Sequence, residues 1–347
     1  MTDKKLKLGA ADAWATPTTA SSQTPSKDRI IDALDIMRRR DYAEKRVFQA
    51  RAYDSAIKAL RGIAGDITDV TQVKGVKGIG EKIQTKIAEI LETGALAAAE
   101  RTRADPTFAA YEALLGVYGI GPAKAKVLVD SGILSIDALR EAAAKNTGLL
   151  TAAQAVGLRY YEQLLERIPR SEMAEHEAFL LSNLDPLFKP KIVGSYRRGA
   201  ETSGDIDVLM TLPDDVKVLK RAQYFKKAIA TLLGKGYMTE ILASGPTKCL
   251  AICKLPGGVA RRLDLLLIPY REYPWAVLYF TGSDLFNIAF RSHALEKGYT
   301  MNEHGATPTG EKSEPPLMTS EEDIFDFFGL QYVEPRLRRG ALDVVTQ

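Results

Sequence analysis

The sequence is poor in cysteine and histidine, the residues that form disulfide frameworks and zinc sites. It has two cysteines, Cys249 and Cys253, in one apolar segment, and its three histidines are scattered. A structural zinc site needs four ligands with paired spacing. We therefore expect no zinc site, and two free thiols that belong in a reducing compartment.

Long apolar runs and a large net charge are also missing. No stretch reaches the roughly 20 apolar residues of a membrane span, and the N-terminus has no apolar signal core. The 47 Lys and Arg residues nearly balance the 44 Asp and Glu residues, which leaves a net charge of +3. Any surface for nucleic acid must therefore be local, although charge clusters are most often solvated faces. The basic clusters are Lys74, Lys77, Lys82 and Lys86; Lys124 and Lys126; Arg197 and Arg198; and Arg336, Arg338 and Arg339.

An internal repeat lies within the part of the chain that has helical periodicity, from residue 28 to about residue 157. Residues 76–83 and 117–124 share a Val-x-Gly-Ile-Gly segment. The glycine turn permits close backbone approach, and a helix after it offers bare N–H groups to a phosphate. We interpret the copies as helix-hairpin-helix modules that bind the DNA backbone; two ordinary glycine-capped helix junctions are the alternative. The expected contacts are Gly78, Gly80 and Lys82 in the first copy and Gly119, Gly121 and Lys124 in the second.

Two carboxylates with strand spacing follow a Gly-Ser turn, in the mixed part of the chain after residue 158. Side chains alternate along a strand, so Asp205 and Asp207 point the same way and could hold two Mg²⁺ ions about 4 Å apart for phosphoryl transfer. The turn, with Ser195 and Arg198, suits the phosphates of a nucleoside triphosphate. A solvated strand end or an Asx turn is the alternative for such a short motif. The turn is Gly194-Ser195-Tyr196-Arg197-Arg198-Gly199, and the carboxylate segment is Gly204-Asp205-Ile206-Asp207-Val208.

A third carboxylate lies in an apolar run that ends at Pro269 and is long enough for a buried strand. Asp264 would be costly to bury there unless it bound a cation, so we expect it to complete the metal site. Arg262 lies two residues earlier on the same strand face and could orient Asp264. An ion pair between Asp264 and a nearby arginine is the alternative.

From about residue 28 to about residue 335 the chain resembles the family X DNA polymerases, most closely their polymerase beta type. The resemblance rests on the carboxylate motifs, on Tyr279-Phe280-Thr281-Gly282-Ser283-Asp284 and on His293-Ala294-Leu295-Glu296-Lys297-Gly298-Tyr299. It implies a multidomain α+β fold, with N-terminal all-α helix-hairpin-helix domains, a nucleotidyltransferase-type mixed-sheet palm and a small α+β C-terminal domain. The implied boundaries are a flexible tail at 1–27, a lyase-like domain at 28–101, a DNA-binding domain at 102–157, the palm at 158–270 and a nucleotide-selection domain at 271–347.

The resemblance also implies how a nucleotide would be bound. The turn at Tyr279 would crowd a ribose 2′-OH and so favour deoxyribose. Asp284 and Asn287 lie three apart on one helix face and would meet the base, with an ordinary polar helix surface as the alternative. The implied contacts are Ser195, Arg198 and Gly204 for the triphosphate, Tyr279, Phe280 and Gly282 for the sugar, Asp284 and Asn287 for the base, and Arg291 and Arg262 for the DNA.

A second activity, removal of the sugar phosphate at a cleaved abasic site, is implied for the first helical domain. Its Schiff-base lysine aligns with Lys86, and its 5′-phosphate pocket with Tyr53, Lys74 and Lys82. An ammonium must lose its proton to attack an aldehyde, which neighbouring cations favour. A basic helix face that only grips DNA is the alternative. The chain departs from the polymerase beta pattern at Phe48, Gln49, Thr85, Ala95 and Ala98.

By resemblance the cofactors are two Mg²⁺ ions, replaceable by Mn²⁺, and Na⁺ or K⁺ ions at the hairpins. The expected partners are gapped or nicked DNA and deoxynucleoside triphosphates, for a monomer that acts in base excision repair and does not enter a membrane. The nucleus is the first expectation for its compartment, with an organelle or a virus particle as alternatives. The carbonyls implied for the monovalent ions are those of Lys74, Val76 and Ile79 and of Leu115, Val117 and Ile120.

Two other functions share parts of these motifs. A nucleotidyltransferase that extends RNA ends would share the Gly-Ser and Asp-x-Asp region, but not the turn at Tyr279 or the paired hairpins. A non-catalytic binder of DNA structures would share the hairpins but has no need of three placed carboxylates. The short link at 255–259 offers no element that could replace a template, so we expect template-dependent synthesis.

Overall fold

The computed structural model describes residues 25–340 and 343–346, which divide into two compact units. Among these residues, the first unit ends at Tyr161 and the second begins at Glu162. Most of the expected tail lies outside the described residues. Helix α1 nevertheless begins at Ser26, because the Asp66 carboxylate accepts hydrogen bonds from the N–H groups of Ser26 and Lys27 at its first turn.

The first unit is entirely helical within its described residues. The apolar side chains that recur at helical spacing along α1 and α2, such as Leu34 and Ile57, are buried in its interior. Its helices are α1 (Ser26–Ala43), α2 (Val47–Gly62), α3 (Glu81–Thr93), α4 (Ala97–Ala104), α5 (Pro106–Leu115), α6 (Pro122–Asp130), α7 (Ile136–Lys145) and α8 (Ala152–Arg159), and α9 (Tyr161–Leu165) begins at its last residue.

The repeated segments form matching turns before α3 and α6. Gly78 and Gly119 have φ angles of +96° and +83°, in the left-handed region that favours glycine. Each turn is closed by a hydrogen bond of 3.0 Å, from Ile79 N to Val76 O in the first and between the corresponding residues in the second. Gly80 and Gly121 are the N-cap residues of α3 and α6. The first unit therefore contains two helix-hairpin-helix modules.

The second unit is built on a five-stranded mixed sheet with the strand order β2-β4-β7-β6-β5. Only β4 and β7 are parallel neighbours. Helices α10 and α12 cover one face, where Phe225 and Leu180 pack with Val208 and Leu265. The elements are β1 (Ile168–Pro169), α10 (Arg170–Asn183), β2 (Lys191–Ile192), α11 (Gly194–Arg197), β3 (Thr202–Ser203), β4 (Ile206–Thr211), α12 (Val218–Gly234), β5 (Met238–Ser244), β6 (Lys248–Cys253) and β7 (Arg261–Ile268).

A second core of the same unit lies after the sheet and is rich in aromatic residues. Trp275, Phe286, Phe290, Phe325 and Phe328 pack there with the β8–β9 hairpin. Its elements are α13 (Tyr273–Thr281), α14 (Asp284–Glu296), β8 (Tyr299–Asn302), β9 (Gly305–Pro308) and α15 (Glu321–Phe327). The expected multidomain α+β fold class is thus confirmed.

Two features of the described residues bear on the composition arguments. Cys249 and Cys253 are buried and free, as expected. Within the described ranges, no helix is both long enough and apolar enough to cross a bilayer.

Candidate active site

Asp207 on β4 lies directly opposite Asp264 on β7 in the parallel pairing. Both point to the sheet face that α13 covers, because Leu209 and Leu266, two residues further along each strand, pack there with Val277. The intervening apolar residues Ile206, Val208, Leu263 and Leu265 are fully buried on the other face. Strand alternation therefore brings two of the three predicted carboxylates together.

Asp205 lies just before β4 and is bound by Arg262, whose Nη2 donates to Asp205 Oδ2. The sequence predicted that Arg262 would orient Asp264, its neighbour on the same strand. The structure shows a hydrogen bond from Arg262 across the strand pair to Asp205, and the Arg262 charge also lowers the pKa of Asp264. Both side chains are about one third exposed, so the pair lies at the open edge of the carboxylate cluster.

The crowding of negative charge shifts the protonation of this cluster. Burial and the charges of Asp205 and Asp264 raise the pKa of Asp207 to about 7, against the opposing charges of Arg262 and Lys248. Burial also raises the pKa of Asp264, which Arg262 partly offsets and Asp205 reinforces. Carboxyl groups whose ionised form is this strongly disfavoured are stabilised when a cation binds between them.

The donor set fits Mg²⁺, which prefers carboxylate oxygens. Among the described residues, however, no group of three or more acidic, histidine or cysteine side chains is already arranged to hold a metal ion. Arg262 holds one oxygen of the Asp205 carboxylate, which would be the third ligand. A metal ion bound by all three residues would share the Asp205 carboxylate with Arg262 or compete with it.

Lys248 is a cation of the site that the sequence prediction missed. It begins β6, beside β7, and its charge lowers the pKa of both Asp207 and Asp264. Sequence offered one signal, a lysine at the start of a strand of otherwise apolar residues.

The Gly-Ser turn forms the wall beside Asp207. Gly194 has a φ of +66°, and a Cβ added to it would lie 3.2 Å from Asp207 Oδ2. Ser195 Oγ donates to Ser203 Oγ at 3.1 Å. Arg167, which the sequence prediction also missed, donates to Thr202 Oγ1 and O, and its Nη1 is 3.4 Å from a Cβ built on Gly204. Ser195, Gly204 and Arg167 therefore meet around one short loop.

Arg197 and Arg198 both hold Thr281, the last residue of α13, in the segment that the sequence predicted as the sugar-reading turn. Arg198 Nη1 donates to Thr281 O at 2.5 Å, and Arg197 Nη1 donates to Thr281 Oγ1 at 2.7 Å. Arg197 also pairs with Glu321, which is 6% exposed and binds Arg338 on its other side. Burial lowers the pKa of Arg198, which the nearby Asp284 charge opposes. The predicted phosphate-binding arginine thus lies against the predicted sugar-reading turn.

Asn287 is not part of an ordinary polar helix surface. It is 9% exposed, and its Nδ2 donates to Tyr279 O at 2.7 Å. Its Oδ1 is buried without a hydrogen-bond partner among the described residues. Asp284 and Arg291 are exposed on the same helix, and Tyr279 and Phe280 are partly exposed with their rings 5.4 Å apart.

The predicted DNA-binding residues of the first unit lie on its two hairpin modules. Lys82 and Lys86 are one turn apart on α3, with Lys82 exposed and Lys86 partly buried, and Lys74 is exposed before the first turn. Lys124 is engaged within the protein, because its Nζ donates to Leu149 O at 2.7 Å. Tyr53 is buried on α2, so only part of the predicted phosphate pocket is open.

The carbonyls implied for monovalent ions are partly used by the protein itself. Val76 O and Val117 O accept the hydrogen bonds that close the two turns, and Ile79 O accepts from Gln84 Nε2 at 3.1 Å. A carbonyl oxygen has two lone pairs, so each of these atoms retains one for another partner.

Four models of known protein families match this chain, and they follow one another along it. They are a helix-hairpin-helix domain over 25–96, the fingers domain of DNA polymerase lambda over 112–165, the DNA polymerase beta palm over 167–270 and the DNA polymerase beta thumb over 276–339.

Curated relatives align over most of the chain. DNA polymerase lambda of Rattus norvegicus is 30% identical over 329 residues, which is 89% of this chain and 56% of the relative. DNA polymerase lambda of Arabidopsis thaliana is 31% identical over 75% of this chain and 52% of the relative. DNA nucleotidylexotransferase of Gallus gallus is 26% identical over 74% and 56%. The chain spans about half the length of these relatives, and it belongs to the family X DNA polymerases, close to polymerases beta and lambda.

Proposed function

We propose that this protein is a template-directed DNA polymerase that fills short gaps by two-metal nucleotidyl transfer. The pairing of Asp207 with Asp264 on adjacent parallel strands supports this proposal most strongly. The raised pKa of both groups gives the pair a reason to bind divalent cations. The family matches supply the reaction class.

In this proposal the three carboxylates bind two metal ions. Asp205 and Asp207 would hold the nucleotide's ion, and all three residues would share the second. When bound, Mg²⁺ would favour deprotonation of a primer 3′-OH and neutralise charge on the triphosphate. The 3′ oxygen forms a bond to the α-phosphorus while the bond to the β-phosphate oxygen breaks. Asp264 accepts the hydroxyl proton in this scheme, and pyrophosphate leaves.

The residues of the Gly-Ser turn and of the loop that follows it bind the pyrophosphate that leaves. Ser195 and Arg198 donate hydrogen bonds to the β- and γ-phosphates, where a guanidinium offsets the charge that develops on pyrophosphate. Gly204 leaves room for close approach of a phosphate. Arg167, beside Gly204, is a further cation for the same oxygens.

The turn at Tyr279 selects the sugar. Two of its backbone carbonyls are held, Thr281 O by Arg198 and Tyr279 O by Asn287, and Arg197 holds the Thr281 side chain. A rigid wall of this kind can exclude a 2′-OH, because its atoms have no freedom to retreat. Asp284 and Asn287 would then meet the base, and Arg291 the template.

We further propose that the first unit removes 5′-deoxyribose phosphate through a Schiff base on Lys86. Lys82, one turn away on α3, is the cation closest in sequence on the same face. The buried Tyr53 and the hydrogen-bonded Lys124 leave this unit fewer open phosphate contacts than its basic residues suggest. The Lys86→Ala variant is expected to lose borohydride trapping on abasic DNA, and Lys77→Ala is the matched control. Undiminished trapping by Lys86→Ala would exclude the assignment.

The expected partners are gapped or nicked DNA and deoxynucleoside triphosphates, with base excision repair as the setting. We propose a monomer in a reducing compartment, the nucleus first, which agrees with two free thiols. The metals are Mg²⁺ or Mn²⁺ at the carboxylates and Na⁺ or K⁺ at the hairpins.

One alternative follows from the nucleotidylexotransferase relative, which suggests addition of nucleotides to DNA ends. The connection from β6 to β7 runs only from Lys254 to Ala260 and contains a tight Leu255–Gly258 turn. It offers little chain that could stand in for a template strand, so we favour templated synthesis.

Primer extension on DNA with a one-nucleotide gap tests the proposal. We expect insertion of the complementary deoxynucleotide with Mg²⁺, at least tenfold slower insertion of the ribonucleotide, and no insertion after chelation. Addition without regard to the template would favour the exotransferase alternative. Extension of RNA ends would favour the RNA-specific transferase, and absence of any extension would leave only a DNA-binding role.

A further inference from the structure

The segment at 343–346 folds back on the aromatic core of the second unit. Gln331 N donates to Val345 O at 2.9 Å, and Leu330 and Thr346 form an antiparallel bridge. Val344 packs against the cluster that contains Phe325 and Phe328. The segment is therefore an ordered part of this unit.

Asp343 organises the chain that leads into this segment. Its Oδ2 accepts hydrogen bonds from Arg339 N and Gly340 N, both at 2.7 Å. A side-chain oxygen that accepts two consecutive backbone N–H groups fixes the peptide between them. Asp343 therefore determines where the Arg339 carbonyl points.

That carbonyl and the preceding one bind Ser283, the last residue before α14. Ser283 Oγ donates to Arg339 O at 3.1 Å, and Ser283 N donates to Arg338 O at 3.3 Å. The same Ser283 is the N-cap of α14, which carries Asp284 and Asn287. Two consecutive carbonyls thus hold the junction between the turn at Tyr279 and this helix.

The first of these carbonyls is fixed through its own side chain. Arg338 is fully buried, and its guanidinium donates to Glu321 Oε1 at 2.6 Å and to Val333 O at 2.7 Å. It lies over the Phe286 and Phe325 rings, at 5.5 and 5.3 Å from their centres. The second carbonyl, of Arg339, has no such anchor among the described contacts except the turn at Asp343.

We propose that Asp343 is a positioning residue for nucleotide selection: it fixes the Arg339 carbonyl, which holds Ser283 and with it the sugar- and base-reading residues. This rests on the proposed polymerase function. Asp343 itself touches neither the carboxylate cluster nor the turn at Tyr279, so its effect passes through Ser283.

The test compares Asp343→Ala, which removes both acceptor oxygens, with Asp343→Asn, which keeps one. We expect Asp343→Ala to raise the KM for the correct dNTP about five- to tenfold, the effect of one or two weakened hydrogen bonds, with kcat changed less than twofold. Asp343→Asn is expected to stay within about twofold of the unmodified protein. Glu314→Gln, an exposed loop substitution in the same unit, is the control.

A readout without catalysis separates this inference from the proposed function. Hydrogen exchange at Ser283 N is expected to accelerate in Asp343→Ala and not in Asp343→Asn. Unchanged exchange at Ser283, or equal KM effects of the Ala and Asn variants, would overturn the inference. If the unmodified protein extends no primer, the proposed function fails, and the exchange measurement alone still decides whether Asp343 holds this junction.

Discussion

The buried Arg261 and the partly exposed Glu172 form an ion pair that joins the first residue of β7 to α10. Arg261 is 4% exposed, and its Nε and Nη2 donate to the two Glu172 oxygens at 2.7 and 2.8 Å. A third donor, Nη1, reaches Glu166 O at 3.0 Å. Because Asp264 lies three residues along the same strand, this pair anchors the strand that carries it.

The Glu172→Ala substitution leaves the Arg261 charge buried without its partner. We expect it to lower the free energy of unfolding of the second unit by about 3–5 kcal/mol at neutral pH. Burial raises the pKa of Glu172, but its bonds with Arg261 outweigh burial and lower it overall. The stabilisation is therefore fully present above about pH 4.5, the ordinary pKa value, and is lost as pH falls from there through the lowered pKa of the folded carboxylate. The difference in the free energy of unfolding between the unmodified protein and Glu172→Ala should therefore become smaller over that pH range.

Urea unfolding followed by Trp275 fluorescence, in a Trp14→Phe background, measures this effect. The matched control is Asp214→Ala, in which the lost carboxylate is itself 48% exposed and pairs with Arg271 and Arg221. Exposed pairs contribute at most about 1 kcal/mol. Equal losses in the two variants would show that burial of Arg261 does not set the penalty.

The Asp207→Asn substitution removes a carboxylate whose pKa is raised to about 7 by burial and by its acidic neighbours. A raised carboxyl pKa stabilises the fold below its unfolded value, near 3.8, and this stabilisation is lost as pH rises towards 7. We expect the metal-free protein to lose up to about 1.4 kcal/mol per pH unit in this window. The asparagine variant should lose much less.

Calorimetry in chelator between pH 5 and pH 8 checks this dependence. Asp215→Asn, in an exposed turn, is the control. Added Mg²⁺ should raise the melting temperature of the unmodified protein at pH 8 and have little effect on Asp207→Asn. If the melting temperatures of Asp207→Asn and of the unmodified protein changed equally with pH, a raised pKa of Asp207 would be contradicted.

The Glu321→Gln substitution removes the negative charge shared by Arg197 and Arg338. Burial raises the Glu321 pKa, but the hydrogen bond from Arg197 and the Arg338 charge outweigh it and keep the pKa low. We expect about a tenfold increase in the KM for dNTP, because Arg197 also holds Thr281. The neighbouring, exposed Glu322→Gln is the matched control for steady-state kinetics. Equal KM values for the two variants would exclude this role.

The Gly78→Ala substitution tests the first hairpin. The φ of Gly78 is +96°, which is strained for alanine, and the added Cβ would lie 3.2 Å from Ser55 O. We expect a loss of about 1–3 kcal/mol in stability and about tenfold weaker, salt-sensitive binding of nicked DNA, measured by fluorescence anisotropy. Gly62→Ala, with nothing within 4 Å, is the control. Unaltered DNA affinity in a folded Gly78→Ala protein would contradict a role of this turn in binding.

Local patterns predicted the elements of the site well. Alternation along β4 and β7 was enough to predict that Asp207 and Asp264 lie on the strand face opposite to their apolar neighbours. The period of a strand is fixed by backbone geometry. The repeated glycines predicted both hairpin turns, since positive φ angles favour glycine.

Those patterns could not predict which charged side chains pair with each other in the folded protein. Arg262 reaches across to Asp205 on the neighbouring segment. The adjacent Arg261 faces the opposite way and pairs with Glu172. Lys248 joins the site only through the β6–β7 register. Such contacts depend on how distant segments pack, which periodicity does not encode.

Single-turnover extension of a primer in a one-nucleotide gap, by Asp264→Asn, tests the central claim most directly. Saturating DNA and dNTP isolate the chemical step, and DNA affinity is measured on the same samples. We expect insertion at least about a thousandfold slower, a loss of about 4 kcal/mol of transition-state stabilisation, with DNA affinity within twofold. Insertion at a rate near that of the unmodified protein would contradict a catalytic role for the pair of strands that carries Asp207 and Asp264.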